Sequence, residues 1–544
     1  MKLARVAVLG GGPGGLFAAR LLKLRHPSTE VVVYEQNPPD RTFGFGVGLP
    51  AGAQRNLRAA DNPTVDAIEA AGRRHDAAMQ VGPRTLRFGD FSTIAIARTE
   101  LLRVLREQAE EVGVDIRFGE HRSVDQLDAE LIIAADGVNS PTREQFADSF
   151  GSHVFTSAGL YLWCGTEFAL DHAVFAPRRT SDGTFVTHAY PYADHASTFL
   201  IETDETTWQN AGFSVEPAYD DPGASDEKSI AYLESTFAEI LDGRRLVGNR
   251  TRWLRFRTVR CERWHHGNVV LLGDAAHTAH YSIGSGTKLA MEDAIELDRA
   301  LADEASIPEA LEAYETRRRQ SVTDLQAVAR RSELWWESFP NRTDLPLEQL
   351  MVAYMTRAGK VSIDRFLDST PDIAREGLAQ YSGLGIEDTP SAAANAWIGD
   401  RPLTRSDMVT PTRLYSSGPA DLGIDLSCTI DGRDIPAPDA ACAHIVDVPT
   451  GMLWTDERRA FVERSAETNR TIIWLRGAAT RADLQDRLEI GEEIRRLTGK
   501  VVAVSATPEF RDDFASALAS GRVDIAIETS DHDHAPSVAH RLLR

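Results

Sequence analysis

The sequence predicts an α/β chain: a parallel-sheet dinucleotide-binding domain, a strand-rich insertion, and a small C-terminal α/β domain. Three observations predict it. A glycine-rich turn joins an apolar run to a helical pattern near the N-terminus. Two later apolar runs, near residues 131 and 269, each end in an aspartate beside a glycine. Beyond residue 443, strand-like and helix-like patterns alternate. At 544 residues the chain is too long for one core and calls for two or three folding units.

The first element is Val6–Leu9, a continuous apolar run as in a strand buried on both faces. Gly10-Gly11-Gly12-Pro13-Gly14-Gly15 follows, then Leu16, Ala19 and Leu22 at helical spacing, then a second strand, Val31–Tyr34, ending at Glu35. This is GxGxxG in the context it needs. Gly10 permits the turn, Gly12 lets backbone approach a pyrophosphate, and Gly15 lets helix and strand pack closely. The helix N-terminus offers free N–H groups to phosphates. Glu35 stands where a carboxylate accepts from a ribose. The motif makes a Rossmann-like unit and does not by itself separate FAD from NAD. A glycine turn without a ligand is the plainer alternative.

Leu131–Ala135 leads into Asp136-Gly137, and Asn268–Leu272 leads into Gly273-Asp274-Ala275-Ala276-His277. Thr278 to Lys288 continue to a helix striped by Ala294, Leu297 and Leu301. A carboxylate at a strand end suits a polyol hydroxyl, and a helix start suits negative charge on a reduced flavin.

With these motifs the chain resembles the single-component, para-hydroxybenzoate hydroxylase-like flavin hydroxylases of aromatic rings, over about residues 1–375. The resemblance implies a FAD-binding domain in two parts (1–150 and 266–380, the latter with a helical extension) and a mixed-sheet substrate domain (151–265). It implies that Gly10, Gly12, Pro13, Gly14, Gly15 and Glu35 hold the ADP half of FAD. Asp136 and Asp274 would contact the cofactor, and Gly284, Gly286, Thr287 and Lys288 would lie beside the flavin ring. Arg98, heading a helix with Leu101, Leu102, Leu105 and Ala109, matches an arginine that reaches the flavin; a surface helix-start arginine is the alternative.

Tyr281 and Lys288 replace the proline and asparagine usual in the class. His280 to Ala294, Thr42 to Val47, His188 to Tyr192 and Ser197 to Glu202 look like the salicylyl-CoA 5-hydroxylase and anthraniloyl-CoA monooxygenase branch. That branch implies NADH or NADPH as reductant, O₂ as oxidant and a C4a-hydroperoxyflavin that hydroxylates an activated ring carried as a CoA thioester. Alternatives stay open: a free or carrier-protein-bound aromatic or polyketide, oxidase chemistry, or a non-enzymatic flavin redox sensor. Trp335 to Pro340 does not match a flavin halogenase motif.

His188, Tyr190, His280 and Tyr281 are the candidate catalytic residues, since imidazole and phenol can orient a substrate or move its proton. His188 and Tyr190 read equally well as sheet packing. His277 reads as structural and His265-His266 as a solvent turn, with no third ligand at metal spacing. Arg178, Arg179, Arg252, Arg255, Arg257 and Arg260 are available to the phosphates of an acyl-CoA; for the last four, along one strand-like run, an exposed edge is the plainer alternative.

Residues 381–420, rich in glycine, proline and serine, read as a linker before the C-terminal domain, 421–544. Its end looks like the last two repeats of a barrel, but the segment is far shorter than the ~250 residues of a full barrel, and a thioredoxin-like domain without redox cysteines fits the size better. Either is expected to be structural or to serve a homodimer contact. Cys164, Cys261, Cys428 and Cys442 form no CxxC and read as buried thiols. A net charge of −22 argues against nucleic acid. The apolar run at the N-terminus is too short for a membrane span, and a cytoplasmic protein is expected.

Overall fold

The computed structural model describes residues 3–39, 44–88, 93–213, 224–405, 408–410, 412–416, 428–430, 433–435, 443–455 and 457–529. The chain divides into two compact units, Met1–Pro340 and Asn341–Arg544.

In the first unit, strand Arg5–Leu9 lies at the centre of a six-stranded sheet. Parallel neighbours are Glu30–Glu35 on one side and Leu131–Ala134 on the other. Asp115–Phe118 and Val269–Leu271 extend the sheet in parallel, and His265–His266 closes one edge as an antiparallel hairpin. Val6, Val8, Val33 and Ile133 are fully buried. That explains why these strands read as unbroken apolar runs: helices cover both faces. Each such side chain contributes roughly 1.5–3 kcal/mol. Helix Pro13–Arg25 packs on Gly286–Asp303 and on Arg98–Glu111. Buried Arg20 is neutralised by Asp61 at 2.5 Å.

The second sheet has seven strands, in the order Leu246–Val247, Leu160–Thr166, Ala196–Thr203, Thr184–Ala193, Ala173–Arg179, Ala77–Val81, Arg84–Phe88. All pair antiparallel except Ala173–Arg179 with Ala77–Val81, so the sheet is mixed. Its last two strands come from the first 150 residues: the hairpin turning at Gly82, with φ +56°, completes a sheet expected from residues 151–265 alone. The sequence over residues 230–241 predicts one helical segment; the structure has two helices, Glu227–Thr236 and Ala238–Leu241, the first capped by Asp226. Ribbon Ser152–Thr156 with Arg257–Cys261 runs beside the long helix Ile307–Glu337.

The second unit holds a five-stranded sheet in the order Leu414–Ser416, Ile525–Glu528, Val501–Ala506, Ile472–Arg476, Ala443–Asp447, all parallel. From Ala443 on, consecutive strands are neighbours, joined by helices Arg458–Ala466, Arg481–Thr498 and Arg511–Ala519. That is the topology of successive βα repeats, and it counts against the thioredoxin-like alternative, whose sheet is mixed.

Residues 381–420, expected as a linker, include helix Ala394–Gly399 and the sheet strand Leu414–Ser416. The helices from Leu347 onward belong to this second unit rather than to the first. The sequence predicts one helical segment over residues 347–366, and the structure interrupts it: Leu347–Thr356 stops near Gly359, with φ +66°, and Ser362 caps a new helix, Ile363–Ser369. Cys442 lies outside the described residues, as do Thr42 and Phe43. Cys164 and Cys261 are buried thiols.

Candidate active site

The glycine loop lies at the C-terminal ends of parallel strands, where open α/β sheets take ligands. Gly10 has φ +101°, and a Cβ there would strike the Ala135 carbonyl. A Cβ on Gly15 would strike the Gly10 carbonyl, and one on Gly14 would stand 2.6 Å from Leu272. Gly12 differs: a Cβ would meet nothing within 4 Å. The loop is packed behind and open in front. Glu35 accepts from the Gly11 amide at 2.8 Å and from the Asn37 side chain at 2.7 Å, so its carboxylate is fixed beside the loop.

The two aspartates lie at their expected strand ends. Asp136 Oδ2 accepts from the Thr142 amide at 3.1 Å, while its buried Oδ1 has no hydrogen-bond partner. Arg143, which sequence reasoning passed over, is buried and donates to the Ala275 and Val138 carbonyls at 2.9 and 2.7 Å, tying the two aspartate loops together. Asp274 is exposed along the cleft, yet the protein crowded around it raises its carboxyl, offset by the Arg98 guanidinium. Arg98 Nε is buried without a hydrogen-bond partner.

Gly284 and Gly286 face open space, and Gly286 with Thr287 begins the helix Gly286–Asp303. Lys288 Nζ lies 3.6 Å from Glu292. An orphaned guanidinium nitrogen, an orphaned carboxylate oxygen and three glycines with nothing in front of them fit a bound dinucleotide of the FAD type.

Beside this cleft four polar side chains meet. Glu202, 7% exposed, accepts from the Tyr281 hydroxyl at 2.6 Å through one oxygen and lies 2.7 Å from His188 Nε2 through the other. Burial pushes its carboxyl up; His188 and the two hydrogen bonds outweigh this and hold it below the usual carboxylate range. Tyr281 is raised well above a free phenol, by burial and then by Glu202, so it stays a donor. His280 packs against Tyr281, ring centroids 4.1 Å apart, and burial lowers its pKa to about 4. Tyr161 lies across from Tyr281 at 4.7 Å, and Trp336 meets His188 at 4.6 Å.

Glu202, Tyr281, His280, Val186, Trp336 and Phe339 line a narrow pocket. Its free space, about 20 Å³, suits a water molecule rather than an aromatic ring, so ring entry requires side chains here to move. Tyr190 is not part of this group: its hydroxyl donates to the Gly46 carbonyl at 2.8 Å, a tie between sheet and strand. His277 lies 2.8 Å from Asp293, which Arg318 also holds at 2.7 Å. Glu202 was visible only within a strand run resembling the branch; its contact to His188 comes from the hairpin Thr184–Ala193 with Ala196–Thr203, and Tyr281 arrives from the turn before helix Gly286–Asp303.

Packed glycine loop, strand-end aspartates and a separate mixed sheet are the parts of a dinucleotide-binding flavoprotein, and comparison with known proteins supplies the family. Residues 99–329 match a family model described as FAD binding domain. The chain is 44% identical to salicyloyl-CoA 5-hydroxylase of a Streptomyces species, over 62% of this chain and 66% of that protein. It is 38% identical to 3-hydroxy-4-methyl-anthranilyl-[aryl-carrier protein] 5-monooxygenase of Streptosporangium sibiricum, over 66% of this chain and 95% of that protein. Protodeoxyviolaceinate monooxygenase of Chromobacterium violaceum is 30% identical over 65% and 94%. Over 68% of this chain the fold is similar to that of 2-methyl-3-hydroxypyridine-5-carboxylic acid oxygenase, with TM-score 0.52 at 20% identity and 99% of that chain covered. The chain belongs to the FAD-binding aromatic monooxygenases. Among the described residues no helix is long and apolar enough to cross a membrane, and no group of side chains is arranged to hold a metal.

Proposed function

We propose that this monooxygenase hydroxylates an aromatic ring, activated by a hydroxyl or amino group and carried as a thioester, with NADH or NADPH as reductant; salicylyl-CoA hydroxylated at carbon 5 is the leading candidate. The observation that carries the ring chemistry is Glu202, joined at once to His188 and Tyr281 beside the flavin loop. The thioester is supported by the two relatives named above, whose names specify a CoA and an aryl-carrier-protein substrate.

In this reading Gly10, Gly12, Pro13, Gly14, Gly15 and Glu35 hold the ADP half of FAD. Asp136, Asp274 and Arg98 reach the rest of the chain of the cofactor, and Gly284, Gly286, Thr287 and Lys288 flank its ring. FAD, when bound, supplies reductive activation of O₂ and delivery of one oxygen atom to the ring. The protein's own part is orientation, proton handling and exclusion of water.

Tyr281 donates to Glu202, so its phenol oxygen keeps lone pairs free to accept from a substrate hydroxyl or amine. A substrate O–H donating to Tyr281, with Tyr281 donating to Glu202, loses proton density toward the carboxylate. The ring becomes a better nucleophile, and His188 steadies the charge that Glu202 carries. His280, neutral at working pH, packs on Tyr281 and fixes its ring.

The test is NAD(P)H oxidation with salicylyl-CoA, anthraniloyl-CoA and the free acids, with product mass alongside. A gain of one oxygen with a thioester and none with the free acid is expected. Turnover of the free acid alone would overturn the thioester. A carrier-protein thioester is the second reading, favoured by the 38%-identical relative, and it predicts turnover of the carrier-bound acyl group in preference to the CoA form.

A further inference from the structure

A second cavity in the first unit, of about 290 Å³, shares no lining residue with the narrow pocket above. Its size is near the lower end for small-molecule sites. One wall is the ribbon Ser152–Thr156 with Arg257–Cys261, which brings Phe155 and Arg260; the other is helix Ile307–Glu337, which brings Arg319 and Thr323. Trp264 and His277 close the back. Two guanidinium groups from two elements thus meet one cavity, in a chain of net charge −22. Arg319 is anchored by Glu315 and sits 5.7 Å from the Trp264 ring. The cavity's one carboxylate, Glu262, lies 3.6 Å from His153, both exposed at the mouth.

His277 adds a directional group. It is 2% exposed, and its Nε2 faces Asp293, a carboxylate held below the usual range against its own burial by His277 and Arg318. Both ring nitrogens are buried without a hydrogen-bond partner, Nε2 keeping only its close approach to Asp293, so the ring has polar capacity left for a ligand in the cavity it lines. Arginines from two walls of one cavity suit phosphate, aromatic walls suit a flat ring, and a histidine nitrogen suits a ribose hydroxyl or an amine.

We propose that this cavity takes the adenosine-phosphate end of a nucleotide. The inference deepens the proposed function and rests on it, because that function brings two such ligands, an acyl-CoA and NAD(P)H. Position favours the first. Helix Ile307–Glu337 lines the cavity at Thr323 and the narrow pocket at Glu333, so the two lie about 15 Å apart along its axis at 1.5 Å per residue. A long flexible arm, such as phosphopantetheine between thioester and nucleotide, bridges such a gap.

The test is titration calorimetry of the FAD-loaded protein with adenosine 3′,5′-bisphosphate, the CoA end, and separately with ADP-ribose, the NAD end. One of them is expected to bind, and Arg260→Gln and the cavity-filling Thr323→Trp are each expected to weaken it at least tenfold. KM for the matching whole substrate, aryl-CoA or NAD(P)H, rises by the same factor with kcat little changed. No binding by the wild-type protein, or binding unchanged in both variants, overturns the proposal. If a probe binds here but no thioester is hydroxylated, the cavity stands and the substrate assignment fails. If aryl-CoA is hydroxylated with unchanged KM in both variants and neither probe binds, the reverse holds.

Discussion

At the scale of single residues, the account turns on a carboxylate with two partners. Glu202→Gln keeps the shape and removes the charge that Tyr281 and His188 share. The hydroxylation rate is expected to fall about 10²-fold, the lower end for general acid–base assistance, while FAD content stays at the wild-type level. Tyr281→Phe is expected to lose a similar factor, and the double variant to lose little more, because neighbours in one hydrogen-bond network do not add; product formation measured against NAD(P)H consumed checks both. His280 predicts a pH effect on stability. Its folded pKa, about 4, lies below the ordinary histidine value. Between about pH 6.5 and 4 the unfolded chain therefore binds the extra proton, so stability is full above that window and is lost as pH falls through it. The loss is roughly 3 kcal/mol, and His280→Gln is expected to flatten that part of a denaturation-against-pH curve. Burial raises the Cys261 thiol to about 12 and the Cys164 thiol higher still. Both are expected to resist alkylation at pH 8 until denaturant is added, as peptide mass spectrometry would show. The residue types at 188, 280 and 281 were legible as proton-handling groups. Glu202 was not, because an acidic residue closing a strand signals nothing until Tyr161 and His188 are brought alongside by pairing.

At the scale of elements, the glycine loop separates two roles that sequence lumps together. Gly12→Val adds a side chain into open space, so the fold should persist while FAD is lost. Gly15→Ala drives a methyl into the Gly10 carbonyl, so the fold itself should weaken. Far-ultraviolet circular dichroism and flavin absorbance, read together, distinguish the two; equal loss of both signals in Gly12→Val would contradict the assignment. The first sheet and its helices were legible because buried parallel strands leave continuous apolar runs and helices leave a periodic stripe. Two element-level features were not. Hairpin Ala77–Phe88 carries exposed Arg84 and Arg87 and little alternation, so its membership of the substrate sheet shows only in the pairing Ala173↔Ala77. The strand Leu414–Ser416 is short, and its place at the sheet edge comes from Ile525–Glu528, over a hundred residues away.

At the scale of the whole molecule, two units were foreseeable from length, and their division at residue 340 was not. Helical patterns lie on both sides of Pro340 and Pro346, and the short turn between them reads like any helix–helix connection, so nothing local marks it as the place where one core ends and the next begins. The cofactor class was legible from three motifs spread over the first unit, since their convergence needs only the parallel sheet. The substrate was less so, because the pocket is assembled from a sheet, a loop and a long helix. The central claim is that a reduced nicotinamide and O₂ are consumed together to place one oxygen atom on a thioester-linked ring. Its most direct test is turnover of salicylyl-CoA under ¹⁸O₂ with NADH or NADPH, with mass analysis of the intact thioester. The account predicts one ¹⁸O per product and one NAD(P)H oxidised per ¹⁸O incorporated. NAD(P)H oxidation that yields only hydrogen peroxide with every aryl thioester offered, while a free aromatic acid gains the label, would contradict it.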